Sequence, residues 1–238
     1  MRVTRRRMRV AAASMTAAMI LVACGDEEPG APATVAPTST TLSQVQLDEQ
    51  KAQGIVLTAA DVPGFTMDAP DPDESGYLPE ACLNGNALLL RIGRDDDPRG
   101  ALSPDFSDSE DAVVGSAVTF AETDDEARAA FIPLSAASFP TCFAPDFSKE
   151  LQKQPGFSNV TSTVTRLPAL TVGDQSVGYR TTVKTRYTGV AVTIYFDFVF
   201  IRSGRALAVL DVTSSATPFS NATRIRLATA VTGRMTAS

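Results

Sequence analysis

The stretch Val190-Ala191-Val192-Thr193-Ile194-Tyr195-Phe196-Asp197-Phe198-Val199-Phe200-Ile201-Arg202, then Ser203-Gly204, then Arg205-Ala206-Leu207-Ala208-Val209-Leu210-Asp211-Val212-Thr213-Ser214, decides the fold. Two β-rich runs joined by a Ser-Gly pair read as a hairpin with a two-residue loop. That loop sets Arg202 opposite Arg205, position 196 opposite 211 and position 198 opposite 209. Alternation puts Ile194, Phe196, Phe198, Phe200, Leu207 and Val209 on one side. Tyr195, Val199, Ile201, Ala208, Leu210 and Val212 fall on the other. A ribbon that is apolar on both sides belongs at the centre of a sheet, covered on both faces or lining an apolar cavity on one.

Working outward, further strands are expected over Asn159–Arg166, Ser176–Arg186 and Ala112–Ala121. Thr123-Asp124-Asp125-Glu126 is a capping box, with Ala127, Ala130, Phe131 and Leu134 at helical spacing behind it. Pro133 is expected to kink or restart that helix before Cys142. A short helix over Asp146–Gln154 and a closing helix over Ser220–Met235 follow. Thr58–Asp61 reads as one helical turn stopped by Pro63-Gly64. Residues 68–80 and 93–111, rich in Asp, Pro, Gly and Ser, read as surface loops. Ala81–Ile92 is a short element whose type the pattern does not fix. Helices around a run of antiparallel strands give an α+β fold: a twisted antiparallel sheet packed with helices in one domain, 44–238.

The chain has 238 residues, 21 Lys+Arg against 27 Asp+Glu, 44% apolar residues, three cysteines and no histidine. Without histidine there is no Ser-His-Asp or Cys-His catalysis and no His-based zinc site. Arg2, Arg5, Arg6, Arg7 and Arg9 precede an apolar run from Val10 to Ala23, too short to span a bilayer as a mature helix and typical of a secretory signal. The run ends in Leu21-Val22-Ala23-Cys24, which resembles the lipobox of bacterial lipoproteins. That resemblance implies a signal peptide over 1–23, lipid on the Cys24 thiol, and a domain anchored to the cell membrane on its extracytoplasmic side. Thr4-Arg5-Arg6 also resembles a twin-arginine signal, with Met8 and Arg9 poor matches, so general secretion is the expected route. Residues 24–43, dominated by Pro, Thr, Ser and Ala after Gly-Asp-Glu-Glu, read as an extended tether.

Loss of residues 1–23 removes five arginines and no acid, moving the net charge from −6 to −11. An acidic mature chain makes no electrostatic case for nucleic acid. Cys82 and Cys142 remain as an even pair in an oxidising compartment, where a structural bridge is the expectation and a redox pair the alternative.

Leu57-Thr58-Ala59-Ala60-Asp61-Val62-Pro63-Gly64-Phe65, Cys82, the Ala121–Cys142 block, Val172-Gly173-Asp174-Gln175-Ser176 and Val199-Phe200-Ile201-Arg202-Ser203-Gly204, in that order, resemble the extracellular sensor domain of PknH-type mycobacterial kinases and related actinobacterial lipoproteins. The resemblance covers about Gln44 to Met235. It implies a twisted antiparallel sheet with packed helices, a disulfide near a cleft and an unidentified ligand. Members of that family usually carry a second disulfide, which this chain lacks. PsbP-like and lipid-carrying lipoproteins share the coarse architecture.

Catalytic motifs are sparse. Gly-x-Ser-x-Gly and Ser-x-x-Lys are absent, and Asp71-Pro72-Asp73-Glu74-Ser75-Gly76 begins like a calcium loop but places Cys82 where the bidentate Glu belongs. That stretch, Asp95-Asp96-Asp97, and the group Asp105, Asp108, Glu110 and Asp111 read as acidic loops. A carboxylate-based hydrolase needs two carboxylates held across a substrate, which loop spacing does not establish. No metal and no cofactor are expected.

Charge is uneven: residues 24–150 hold 24 acids and 6 bases, residues 151–238 hold 3 acids and 10 bases. Arg180, Lys184 and Arg186 share one face of their strand with Thr182 between them. They read either as a cationic wall for an anionic ligand, such as a lipid head group or cell-wall fragment, or as the complement of the acidic loops. The expected function is non-enzymatic binding of a small apolar or amphiphilic cell-envelope ligand between sheet and helices, at Tyr179, Arg180, Lys184, Tyr195, Phe196 and Phe198. The alternative is a protein-interaction module.

Overall fold

A computed structural model describes residues 42–68, 82–83, 85–110 and 112–237. The expected signal peptide, Cys24, the expected tether up to residue 41, the Asp71–Gly76 stretch and Asp111 lie outside the described residues.

Helix α1 (Gln44–Ile55) starts at Ser43, whose hydroxyl accepts from the Gln46 N–H while the Gln46 side chain accepts from the Ser43 N–H. A 3₁₀ turn (Ala59–Asp61), β1 (Thr66–Met67), α2 (Ala87–Arg91), β2 (Gly100–Leu102) and β3 (Phe106–Ser107) follow. The last two fall inside 93–111, read from sequence as loop. Strand β4 (Val113–Phe120) leads into α3 (Asp124–Ser135), capped by Thr123 as its capping box predicts. Pro133 lies in the last turn of α3, which ends two residues later.

Helix α4 (Phe139–Lys153) is a correction: it begins seven residues before the expected Asp146. Pro140 sits in the first turn, where no N–H is needed, and Pro145 is carried inside because Phe139, Phe143 and Phe147 form a buried i, i+4 ridge against the sheet. Four long strands follow, β5 (Phe157–Arg166), β6 (Gln175–Tyr187), β7 (Val190–Ser203) and β8 (Ala206–Ser215), then α5 (Asn221–Ala237).

All strand pairs are antiparallel, in the order β1-β3-β4-β8-β7-β6-β5, with β2 also on β4. The central hairpin is β7–β8, apolar on both faces. Its turn is Gly204-Arg205, so Ser203 faces Ala206, Phe198 faces Asp211 and Phe196 faces Thr213, a slip of two residues from the expected register. Gly204 takes φ 53° at the first central position, where a glycine is favoured. A slip of two preserves side-chain parity, so the two faces keep their predicted members.

On one face, α2, α3 and α4 bury Phe131, Leu134, Phe139 and Phe143 against Val177, Tyr179, Phe200 and Leu207. On the other, α1 and α5 bury Ile55, Leu227 and Val231 against Val118, Val199, Ile201 and Leu210. Leu42–Ser238 forms one compact unit, an α+β domain.

Candidate functional site

Alternation along β6 and β7 separates the six expected ligand residues. Tyr179, Phe196 and Phe198 point to the α4 face; Arg180, Lys184 and Tyr195 point to the α5 face. They do not form one cluster.

On the α4 face the space is filled with rings. Phe139 lies 4.9 Å from Tyr179 between centroids, Phe143 5.6 Å from Phe198 and Phe147 4.9 Å from Phe196. The Tyr179 hydroxyl donates to the Leu134 carbonyl at 2.8 Å, and burial pushes its pKa up. This is an aromatic core layer stapled from above by the Cys82–Cys142 disulfide, Cα atoms 5.6 Å apart.

The α5 face carries the charge. Asp197, 1% exposed, accepts from Arg180 Nε at 2.7 Å, from Arg180 Nη2 at 2.6 Å and from Arg224 Nη1 at 2.7 Å. The Asp197 hydrogen bond, outweighing partial burial, raises the Arg180 pKa further. Two guanidiniums share one carboxylate, leaving one excess positive charge. Arg180 also donates to the Phe219 carbonyl at 3.3 Å, and its guanidinium lies 5.9 Å from the Tyr195 ring centroid. Ser214, opposite Tyr195 and 5% exposed, holds a hydroxyl with no hydrogen-bond partner among the described residues.

Beyond Arg180 the cover of α5 ends and this face opens to solvent. Register sets Thr165 beside Arg180, Thr163 beside Thr182 and Tyr195, and Thr161 beside Lys184 and Thr193. Lys184 and Arg186 are exposed and have no carboxylate partner among the described residues. Arginines elsewhere are taken by acids of the N-terminal half, though these acids stand on α1, the 3₁₀ turn and α3 rather than in the acidic loops. Asp48, fully buried, takes Arg99 at 2.9 Å and Arg205 at 2.7 Å; Asp124 takes Arg202 at 2.6 Å; Asp61 takes Arg234 at 3.0 Å.

The sequence reading missed Asp197 and Arg224. The signal was available: a lone acid in the apolar run Ile194–Ile201 must be paired if the strand is central.

Other carboxylates sit in separate small contacts. Asp96 pairs with Arg94 at the surface, Asp97 accepts from the Thr119 hydroxyl, and Asp108 accepts from the Glu110 and Ala112 N–H groups. Asp105 and Asp211 both approach Gly115, where a Cβ would stand 3.0–3.1 Å from their oxygens. Among the described residues, no group of three or more Cys, Asp or Glu could hold a metal. A shallow, open depression of about 320 Å³ lies at α2, lined by Ala87, Leu90, Arg91, Arg94, Asp96 and Asp97.

No protein-family model and no curated protein matches the sequence. Among solved structures, the chain is similar to the extracellular domain of PknH from Mycobacterium tuberculosis, with 14% identity and a TM-score of 0.47 over 79% of this chain and 96% of that one. It is also similar to LpqN, involved in cell envelope biogenesis of Mycobacterium tuberculosis, with 18% identity and a TM-score of 0.29 over 72% and 83%. At these values neither likeness assigns a residue or a ligand to this chain.

Proposed function

We propose that this chain is an extracytoplasmic lipoprotein that acts by binding rather than by catalysis, and that its ligand is an anionic or amphiphilic component of the cell envelope held on the open face of β5, β6 and β7. The observation that carries the reading is the pair Lys184 and Arg186. They are exposed, lack a carboxylate partner among the described residues, and continue the row that starts at Arg180. Solvated bases on an open, hydroxyl-lined face attract negative charge, and Asp197, the acid of β6 and β7 on that face, is taken by two arginines. The aromatic layer under α4 is packed, so an amphiphile is held by its head group rather than by a buried tail.

Anchoring rests on the basic segment before Val10, on Leu21-Val22-Ala23-Cys24, and on the cysteine count. The Cys82–Cys142 bridge suits an oxidising compartment and leaves Cys24 as the cysteine outside the pair.

Calorimetric titration of the full chain in detergent with inorganic tripolyphosphate tests the binding face. Saturable, salt-sensitive binding is expected despite a net charge of −11 from Cys24 onward, with at least tenfold weakening in the Lys184→Glu/Arg186→Glu variant. Equal heats for both proteins refute the site. Labelling in a bacterial host with radioactive palmitate tests the anchor: incorporation is expected in the parent and absent in Cys24→Ser.

A further inference from the structure

Arg180, Thr182, Lys184 and Arg186 are alternate residues of β6 and stand in one row. At about 6.7 Å per two residues, the row from Arg180 to Arg186 is about 20 Å long. Hydroxyls border it on both sides: Thr161, Thr163 and Thr165 on β5, Thr193 and Tyr195 on β7. We infer that this row takes a linear acidic polysaccharide laid along β6, its carboxylate, phosphate or sulfate groups on Lys184 and Arg186 and, at the far end, on the excess positive charge that Arg180 and Arg224 leave beside Asp197, and its hydroxyls on the flanking threonines. The inference rests on the anion-binding reading above and names the class of ligand.

Three observations favour a chain over a single head group or a bilayer. A compact anion is satisfied by Lys184 and Arg186, about 7 Å apart along the strand, and leaves the excess positive charge that Arg180 and Arg224 hold beside Asp197, at the other end of the row, without a complement. The threonine borders supply donors and acceptors at regular intervals, the pattern a repeating polyol needs and a lone phosphate does not. A surface that sits in a bilayer interface presents apolar anchors, whereas the exposed large apolar residues, Leu42, Leu47, Met67, Leu102, Ile132, Val190 and Ile225, all lie off this row. Val190 is on β7 but has the opposite parity to Tyr195.

The experiment compares galacturonic acid, its tetramer and its decamer as probes of the full chain in detergent, with neutral dextran as control and phosphatidylglycerol vesicles in parallel. Affinity is expected to rise at least tenfold from monomer to decamer at equal uronate concentration, with no binding to dextran. By counterion-release logic, Lys184→Ala and Arg186→Ala each weaken the decamer roughly fivefold to tenfold, and each lowers the salt slope by about 1. Both side chains are exposed and without an ion pair among the described residues, so the variants keep the parent's melting temperature. Three outcomes overturn the inference: no gain with length, a decamer affinity indifferent to both substitutions, or vesicles bound more tightly than the decamer through the same two residues. The first and third leave the anion-binding face standing if tripolyphosphate still binds; loss of every anionic probe removes both readings.

Discussion

Replacing Asp197 by alanine should be the most damaging single charge change on the α5 face, and its cost can be apportioned. The carboxylate is 1% exposed and is shared by two arginines of different burial, the Arg180 side chain at 20% exposure and the Arg224 side chain at 2%. When it is removed, Arg180 can turn into water and Arg224 cannot. Stranding a buried charge costs about 3–5 kcal/mol, and nearly all of that comes from Arg224. For a domain of this size a kcal/mol moves the melting temperature by about 2–4 °C, so a fall of roughly 6–20 °C is expected. Arg180→Met leaves the Arg224–Asp197 pair in place and should cost only about 1 kcal/mol. Asp197→Leu with Arg224→Met removes the buried pair as a unit and should recover stability to within about 1 kcal/mol of the parent, because apolar replacement of a buried pair is close to neutral. Thermal and urea unfolding of the four proteins checks this. A loss below about 1 kcal/mol in Asp197→Ala, or a double variant no better than the single, would refute the argument that Arg224 is stranded.

Asp48 and Asp61 are held below the usual carboxylate range: burial would raise both, but the hydrogen bonds from Arg205, Gln44 and Arg99 to the first, and from Arg234 and Thr58 to the second, prevail. Their contribution is therefore present above about pH 4 and lost as pH falls through the depressed folded-state values. Urea midpoints measured from pH 7 to pH 3 should fall less steeply in Asp48→Asn, from a lower starting point, than in the parent. Substituting Cys82 and Cys142 by serine opens a loop with a sequence separation of 60 residues, a loss of about 4 kcal/mol in the chain-entropy model, read as a lower urea midpoint. Thr188 sits at φ 49° in the turn between β6 and β7; Thr188→Asn, a residue that accepts this conformation, should add about 1 kcal/mol, measured by thermal unfolding.

The fold was legible where a single period governed the residues. The β7–β8 alternation sorted both faces correctly even though the turn was read one residue early, since parity survives a slip of two. It failed where tertiary contacts outvote local signals. Pro140 and Pro145 argue against the first half of α4, yet the Phe139, Phe143 and Phe147 ridge buries three rings against β6 and β7 and holds the helix there. Helix α1 has an acid among its buried positions: Asp48 lies inside because Arg99, just before β2, and Arg205, in the β7–β8 turn, reach it, a pairing no window around residue 48 contains.

For the site, parity was again the decisive and underused signal. Tyr179 next to Arg180, and Tyr195 next to Phe196, cannot face the same way on a strand, so a single pocket drawing on both members of each pair conflicts with the strand reading itself. What the residues could not say is which arginines of the basic half are already committed. The structure assigns Arg202, Arg205 and Arg234 to Asp124, Asp48 and Asp61, cross-links from the acid-rich half into the base-rich half, and gives Arg180 and Arg224 to Asp197. Internal complementarity thus accounts for the bases at the β7–β8 turn and for Arg224 and Arg234 on α5, while Arg226 donates to the Asp61 carbonyl. It stops at Lys184 and Arg186, midway along the exposed face of β6, where no described acid reaches them. Unspent positive charge on a chain with an excess of acid is the feature on which the proposed anionic ligand rests, and charge reversal at Lys184 and Arg186 is therefore the substitution that discriminates it from a merely solvated surface.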